Sequence, residues 1–396
     1  MHMIKCRKHK NISRTKFMYA LLLLGILGYY NGHAQEALHN YGNLKIHDNG
    51  AMGFHHDLIN DGTTDDNRGL AGFYSNNDIV ISGAFRPIFE DMEVMVVNDL
   101  FLEVGVGVTN NNNFILGNVF TPRNTIDVNL DFINTALYNG ETDDTKVDGY
   151  AASTNKINFT FPVGDDDRLR PLAVLSQNGN TDTKCAYFFE DPNNPSTFPI
   201  SFNTQNRTLI LSAVSTYEFW DLDGNGATTA QLSWDNQSTI PSLVSVLSDL
   251  RVVGWNTANA IWEDLGNTAI TGDFNNGTIT SDVFIPDEYT VITFGTGLSS
   301  ETISLDNFVL TPNNDGINDF LVIDGVSISP NNTLQIYNRW GRLVFEEKNY
   351  SNTFEGIANV KAVVKKNDRL PAGVYFYIIS LFDIDITHQG YLYLEQ

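Results

Sequence analysis

The sequence predicts an all-β protein of tandem β-sandwich domains, the last of them Ig-like. Three observations carry that prediction. Helical periodicity is almost absent along the 396 residues, and short strand signals recur every 8 to 15 residues instead. Turn clusters separate the signals, as in Asn60-Asp-Gly-Thr63, Asn110 to Asn113, Asn139-Gly140 and Asn178-Gly-Asn180. The third observation is compositional. The chain holds 45 Asn, about one residue in nine, and Asn tolerates the backbone geometry of turns. An apolar share of 42% is enough for ordinary hydrophobic cores, so wholesale disorder is excluded, and the length suits two or three domains.

The elements follow in order. Residues 1–34 read as a secretory signal peptide: Lys5, Arg7, Lys8, Lys10, Arg14 and Lys16 precede the apolar run Phe17–Tyr30, and a small residue, Ala34, stands before Gln35. The run is shorter than the ~20 residues of a spanning helix. Cleavage is expected near Ala34-Gln35, with an uncleaved signal-anchor as the alternative. Residues 35–200 carry strands such as Asp78–Ser82, Glu93–Val97, Phe101–Val108 and Lys156–Phe161, a pattern of sandwiches or solenoid-like β-layers. The Pro-rich stretch Asp191–Pro199 marks a boundary. Residues 201–299 read as a shorter sandwich, with strands Thr208–Ser212, Ala230–Trp234, Leu250–Trp255 and Tyr289–Phe294, and Gly295–Ser300 as a flexible linker. Residues 302–396 form a third β-domain.

Charge narrows the partners. The whole chain has 24 basic and 47 acidic residues. Residues 35–301 alone have 11 and 36, and residues 302–396 have 7 and 11. So acidic a body repels phosphate backbones and anionic lipid, which excludes nucleic acid as a partner.

Few residues suggest chemistry. Cys185 is alone once the signal containing Cys6 is removed, and in Thr183-Lys-Cys-Ala-Tyr-Phe-Phe189 it reads as a buried strand residue. Asp221-Leu-Asp-Gly-Asn-Gly226 opens like a calcium loop, with Asp221, Asp223 and Asn225 as ligands, but Leu232 stands where an EF-hand needs Glu. A looser calcium site and a plain polar turn both stay open. Calcium is the one cofactor in view. Asp315 and Asp319 offer a second such spacing. His55 and His56 are adjacent, so on a strand they point to opposite faces and do not share a metal. The cluster Asp165-Asp-Asp-Arg-Leu-Arg170 reads as a solvated turn with local ion pairs rather than a glycosidase dyad. No nucleophile elbow, zinc-protease or phosphate-loop pattern appears in a usable context, so a non-enzymatic role is expected.

The last domain carries the specific signal. Phe308–Leu310 is a strand, Thr333–Tyr337 and Arg342–Phe345 a hairpin across Asn338-Arg-Trp-Gly341, and Val374–Ile379 pairs with Gly390–Leu394. Its motifs are Pro312, Asn314-Asp-Gly-Ile-Asn-Asp319, Tyr337-Asn-Arg-Trp-Gly341, Gly373 with Tyr375 and Tyr377, and Gly390-Tyr391. Together these resemble the gliding motility-associated C-terminal domain, the type B sorting signal of the type IX secretion system of Bacteroidota. One departure is Phe354-Glu-Gly356, where that family usually has Trp-Asp/Asn-Gly.

The resemblance implies an extracellular or cell-surface protein. It implies contact with the type IX translocon and retention by an outer-membrane partner of the PorP/SprF type. The role expected is structural or adhesive, with gliding motility among the options and surface polysaccharide as a further partner. The alternative is a secreted carbohydrate-binding protein or polysaccharide hydrolase, using Trp220, Trp234, Trp255 and Trp262 as stacking platforms.

Overall fold

The structure, a computed structural model, describes residues 37–175, 182–297, 308–360, 369–384 and 386–395. The expected signal peptide lies outside the described residues. Strands dominate, as expected, but the body is a β-solenoid rather than a pair of sandwiches. Strands β1 (Ala37–Asn40), β2 (Ala51–Phe54), β3 (Asp57–Asn60) and β4 (Leu70–Ser75) show the rule. Strand β1 pairs in parallel with β3, and β2 with β4, so successive strands alternate between two sheets. The coil then repeats. Ala37 stands over Asp57, Leu70 over Asp91 and Leu100 over Val119, which sets a period of 20, 21 and 19 residues.

Stacked apolar positions hold the coils together. Phe54, Phe73, Val94 and Phe114 share one register in one sheet, and Leu38, Leu58, Ile81 and Leu102 share one in the other. The Phe54 and Phe73 rings stack at 4.8 Å. A single coil buries its inner face only by lying on the next one, which is why the repeat extends. Asparagines serve the same stacking. Asn40 Nδ2 donates to Asn60 Oδ1 at 2.8 Å, and Asn60 Nδ2 donates to the Phe85 carbonyl of the following coil at 2.8 Å.

One Asn in this stack is unpaid for. Asn112 lies fully buried, in register with Met92 and Tyr138, and neither its amide nitrogen nor its oxygen has a hydrogen-bond partner among the described residues. A buried amide without partners costs its desolvation, so Asn112→Leu, close in shape, is expected to stabilise the body by about 1–3 kcal/mol. The midpoint of denaturant unfolding followed by tryptophan fluorescence checks this. An unchanged or lower midpoint would show that the amide is satisfied.

From Ala151–Thr154 the larger sheet turns antiparallel. It runs on through Asp182–Phe188, Phe219–Asp223, Tyr289–Gly297 and Leu250–Asn256 to Ile261–Asp264. A second antiparallel sheet, containing Leu172–Leu175 and Thr229–Trp234, faces it. The boundary expected at 200 is corrected by these pairings, because strands on both sides of it share sheets and one core reaches from Ile46 to Phe294. The Pro-rich stretch is a cover over the outer face of the large sheet. Phe198 packs at 5.4 Å from Phe188 and 5.8 Å from Phe219. The expected linker also starts late, since Gly295–Gly297 finish a strand.

The C-terminal region has its own core. Among the described residues it is one five-stranded sheet, with strand order Phe308–Leu310, Ile386–Leu394, Gly373–Leu381, Asn332–Asn338 and Leu343–Lys348. This corrects the two-sheet, Ig-like expectation. Irregular segments on either side of residues 321 and 354, not a second sheet, cover its inner face. Tyr350 anchors that cover, donating its buried hydroxyl to the Leu321 carbonyl.

Candidate functional site

The sequence motifs of the last domain divide into residues that build it and residues that face outward. The loop at 311–319 builds itself. Asn314, Gly316 and Asn318 take left-handed backbone conformations at φ 64, 87 and 55°. Such conformations favour Asn and Gly, whose side chains meet no steric penalty there or bond locally. Asp319, nearly buried, accepts from the Asn314 and Gly316 amides at 2.6 and 2.8 Å. Asp315 Oδ1 accepts from the Ile317 amide at 2.8 Å and Oδ2 from Asn313 Nδ2 at 2.9 Å. The Asn313 contact, then the Ile317 amide, hold the Asp315 carboxyl below its ordinary range. Both carboxylates are thus engaged by loop donors. Pro312 is buried, and its carbonyl accepts from Arg369.

The hairpin at 338–342 is pinned in the same way. Asn338 Oδ1 accepts from the Trp340 and Arg342 amides, each at 3.0 Å, and Gly341 supplies the left-handed turn position at φ 72°. This leaves Trp340 at the tip, 78% exposed, with the Arg339 guanidinium 4.8 Å from its ring centre.

The paired strands near the end explain three more motif residues. Tyr377 is fully buried opposite Gly390. A Cβ on Gly390 would stand 2.6 Å from Tyr377 Cε1, so only glycine leaves room for the ring. Gly390→Ala is expected to cost the domain about 1–3 kcal/mol, read as faster amide exchange over Gly373–Leu381. Exchange rates equal to those of the parent would remove the steric argument. Tyr375 is buried too, and its hydroxyl donates to the Pro371 carbonyl at 2.8 Å beside Gly373, the first residue of its strand. Tyr337 is half-buried and donates to Gln335 at 3.1 Å.

The outer face of this sheet is the feature that sequence reasoning missed. Val309, Tyr393 and Val374 form one cross-strand row, and Tyr391, Phe376 and Tyr337 form the next. Val374, Phe376, Tyr391 and Tyr393 are 43–49% exposed. A shallow groove of about 600 Å³ runs between Tyr337, Phe376 and Tyr391. The signal was present. Val374-Tyr-Phe-Tyr-Ile-Ile379 is apolar at both parities, whereas a strand with one wet face alternates apolar with polar residues.

The other sequence candidates are placed as follows. Asp221 is buried and accepts from the Tyr150 hydroxyl, and burial, reinforced by Asp223, raises its carboxyl to about 7. Asp223 is half-buried, Asn225 is exposed at the turn, and the Gly224 amide between them donates to Asp287 at 2.7 Å. Among the described residues no group of three or more His, Cys, Asp or Glu is placed to hold a metal ion. Cys185 is a buried strand residue, and burial pushes its thiol up. His55 bonds the Tyr74 carbonyl at 2.9 Å.

The cluster at 165–170 is not the local turn expected. Asp165 pairs with Arg123 at 3.0 Å, while Arg168 and Arg170 turn inward to Asp235 at 2.9 and 2.6 Å. The four tryptophans of the carbohydrate reading are buried. The Nε1 groups of Trp220, Trp234 and Trp262 donate to the carbonyls of Arg170, Asp273 and Phe202, and Trp255 packs edge-on to Trp262.

Comparison with known proteins bears on the last domain. Residues 303–394 match the family described as CHU_C Type IX secretion signal domain. No curated protein and no solved structure matches the chain. The chain therefore carries a C-terminal type IX secretion signal domain, which directs export through the type IX machinery to the cell surface or the extracellular space.

Proposed function

We propose that the chain is a non-enzymatic surface protein, held at the outer membrane through its sorting domain. The solenoid body serves as a structural or adhesive surface. The signal peptide takes it across the inner membrane, the type IX translocon takes it across the outer one, and a PorP/SprF-type partner retains it. The observation that supports retention is the two-row apolar outer face of the sorting sheet, with Trp340 at the neighbouring hairpin tip. Half-exposed aromatic rows of this kind suit a partner surface, where aromatic anchors supply most of the binding energy. The body differs: its solenoid pairs strands into long sheets and carries nearly all the negative charge, which suits an extended, soluble spacer.

The test is the double variant Phe376→Ser and Tyr391→Ser, in cells of the source organism. Both side chains point to solvent, so the domain is expected to fold and to be exported. The ratio of cell-bound to released protein is expected to fall by on the order of tenfold. An unchanged ratio would take the outer face out of the retention step.

A further inference from the structure

The solenoid has an open end. Strands β1 and β2 pair only with β3 and β4, so among the described residues one whole edge of each carries unpaired backbone amides and carbonyls. Solenoids need a polar cap at such an end, and sheet edges are otherwise blunted by Lys, Pro, bulges or a covering segment. None of these is present in Ala37-Leu-His-Asn40 or Ala51-Met-Gly-Phe54. The core shows through instead. Leu38 is 37% exposed and, with Met52 and Phe54, lines an apolar hollow of about 250 Å³. The far end is different, because there the larger sheet passes into antiparallel pairing with Asp182–Phe188 and is covered.

Residues ahead of β1 supply no cover on the proposed export route. Removal of residues 1–34 leaves Gln35 and Glu36, too short to add a strand to either sheet. This step rests on the signal-peptide reading.

We propose that the open end is an interface with a second copy of this chain, joined head to head. A two-fold axis perpendicular to both sheets sets β1 antiparallel to its symmetry mate and β2 antiparallel to its own, so both sheets continue through the dimer and every edge group finds a partner. The arrangement is isologous and closes at two copies. Head-to-tail stacking is not available, since the far end presents no matching parallel edge. Charge favours this surface over the rest of the body. Between residues 35 and 54 stand only Glu36, Asp48 and Lys45, against 36 acidic and 11 basic residues over 35–301. Two copies therefore meet where their mutual repulsion is weakest.

The test uses residues 35–396, produced directly from Gln35, so that association is read whatever the export route. Sedimentation equilibrium is expected to give a dimer, and the double variant Leu38→Lys and Met52→Lys to give a monomer. Burying like charges at the two-fold should weaken association by on the order of 100-fold. Amide exchange gives a second measurement that does not depend on the variant folding. Amides of β1 and β2 should be protected at high concentration and lose protection on dilution. A monomeric parent, a dimer indifferent to both lysines, or an open-ended series of larger species would each overturn the proposal. Sequencing the N-terminus of the exported protein separates the two readings. A retained residue 1–34 would sink the signal peptide, while the mass of the Gln35 chain would still decide the interface.

Discussion

Chains lacking residues 302–396 are expected to stop in the periplasm, with surface delivery lost rather than reduced. The expectation follows from where the sorting features sit. The motif loop at 311–319, the Trp340 hairpin and the apolar outer rows all belong to the region that matches the secretion signal domain. They are built on a separate core of Leu310, Leu321, Tyr350, Tyr377 and Leu394, among others, which shares no sheet with the body. Removing the domain therefore leaves the body's sheets and core whole. The truncated chain should fold, and its failure should be one of address alone. Cell fractionation with protease shaving of intact cells checks it, and circular dichroism of the periplasmic product confirms that the body has kept its strands. Normal surface delivery of the truncated chain would sink the sorting assignment. Misfolding of the truncated body would instead show that the two cores depend on each other.

Strand positions in this chain were legible because alternation is local. The expected hairpin at 333–345 is the pair Asn332–Asn338 with Leu343–Lys348, and the expected pairing near the C-terminus is Gly373–Leu381 with Ile386–Leu394. What local pattern does not contain is the partner of each strand. Asn60-Asp-Gly-Thr63 has the composition of a hairpin turn. In the structure Asn60 instead bonds the coils before and after it, and the chain goes on to a second sheet. Asn is good at both tasks, so its abundance does not tell parallel coils from antiparallel sandwiches. The discriminating sign was longer in range. Gly53-Phe54 and Gly72-Phe73 recur at the spacing that Val94 and Phe114 continue, and a repeat near 20 residues means stacked coils. The motif residues of the sorting domain were readable for the opposite reason. Their roles are mostly local, as with Asn338 and its own turn, so they stand together in sequence. Gly390 and Tyr377 are the exception, coupled across a strand pair that only the register reveals.

The largest loss of stability from a single side chain is expected at Arg170. Arg170 and Glu218 are nearly or fully buried, Arg170 Nε lying 3.3 Å from Glu218 Oε2 and Nη2 lying 2.6 Å from Asp235. The Tyr187 hydroxyl donates to the same Glu218 oxygen at 2.7 Å. This network ties the 168–170 segment to strands Phe219–Asp223 and Thr229–Trp234, at the place where the coils give way to antiparallel sheets. Arg170→Met keeps much of the packing and removes the cation, leaving Glu218 a buried carboxylate without its counter-charge. Breaking such a pair costs about 3–5 kcal/mol, whereas replacing both partners by neutral groups costs far less. The double variant Arg170→Met, Glu218→Gln should therefore recover most of the loss, a coupling that two independent sites would not show. Burial already raises the Glu218 carboxyl, against the pull of Arg170, so the folded state takes up a proton before the unfolded chain does as pH falls. The deficit of the single variant should accordingly be largest at neutral pH and narrow toward acid. Denaturant unfolding followed by tryptophan emission reads all three effects, since Trp220, Trp234, Trp255 and Trp262 lie buried in the body. A single variant within 1 kcal/mol of the parent, on the scale set by that ~3–5 kcal/mol expectation, would mean that Glu218 is neutral or solvated in the folded protein.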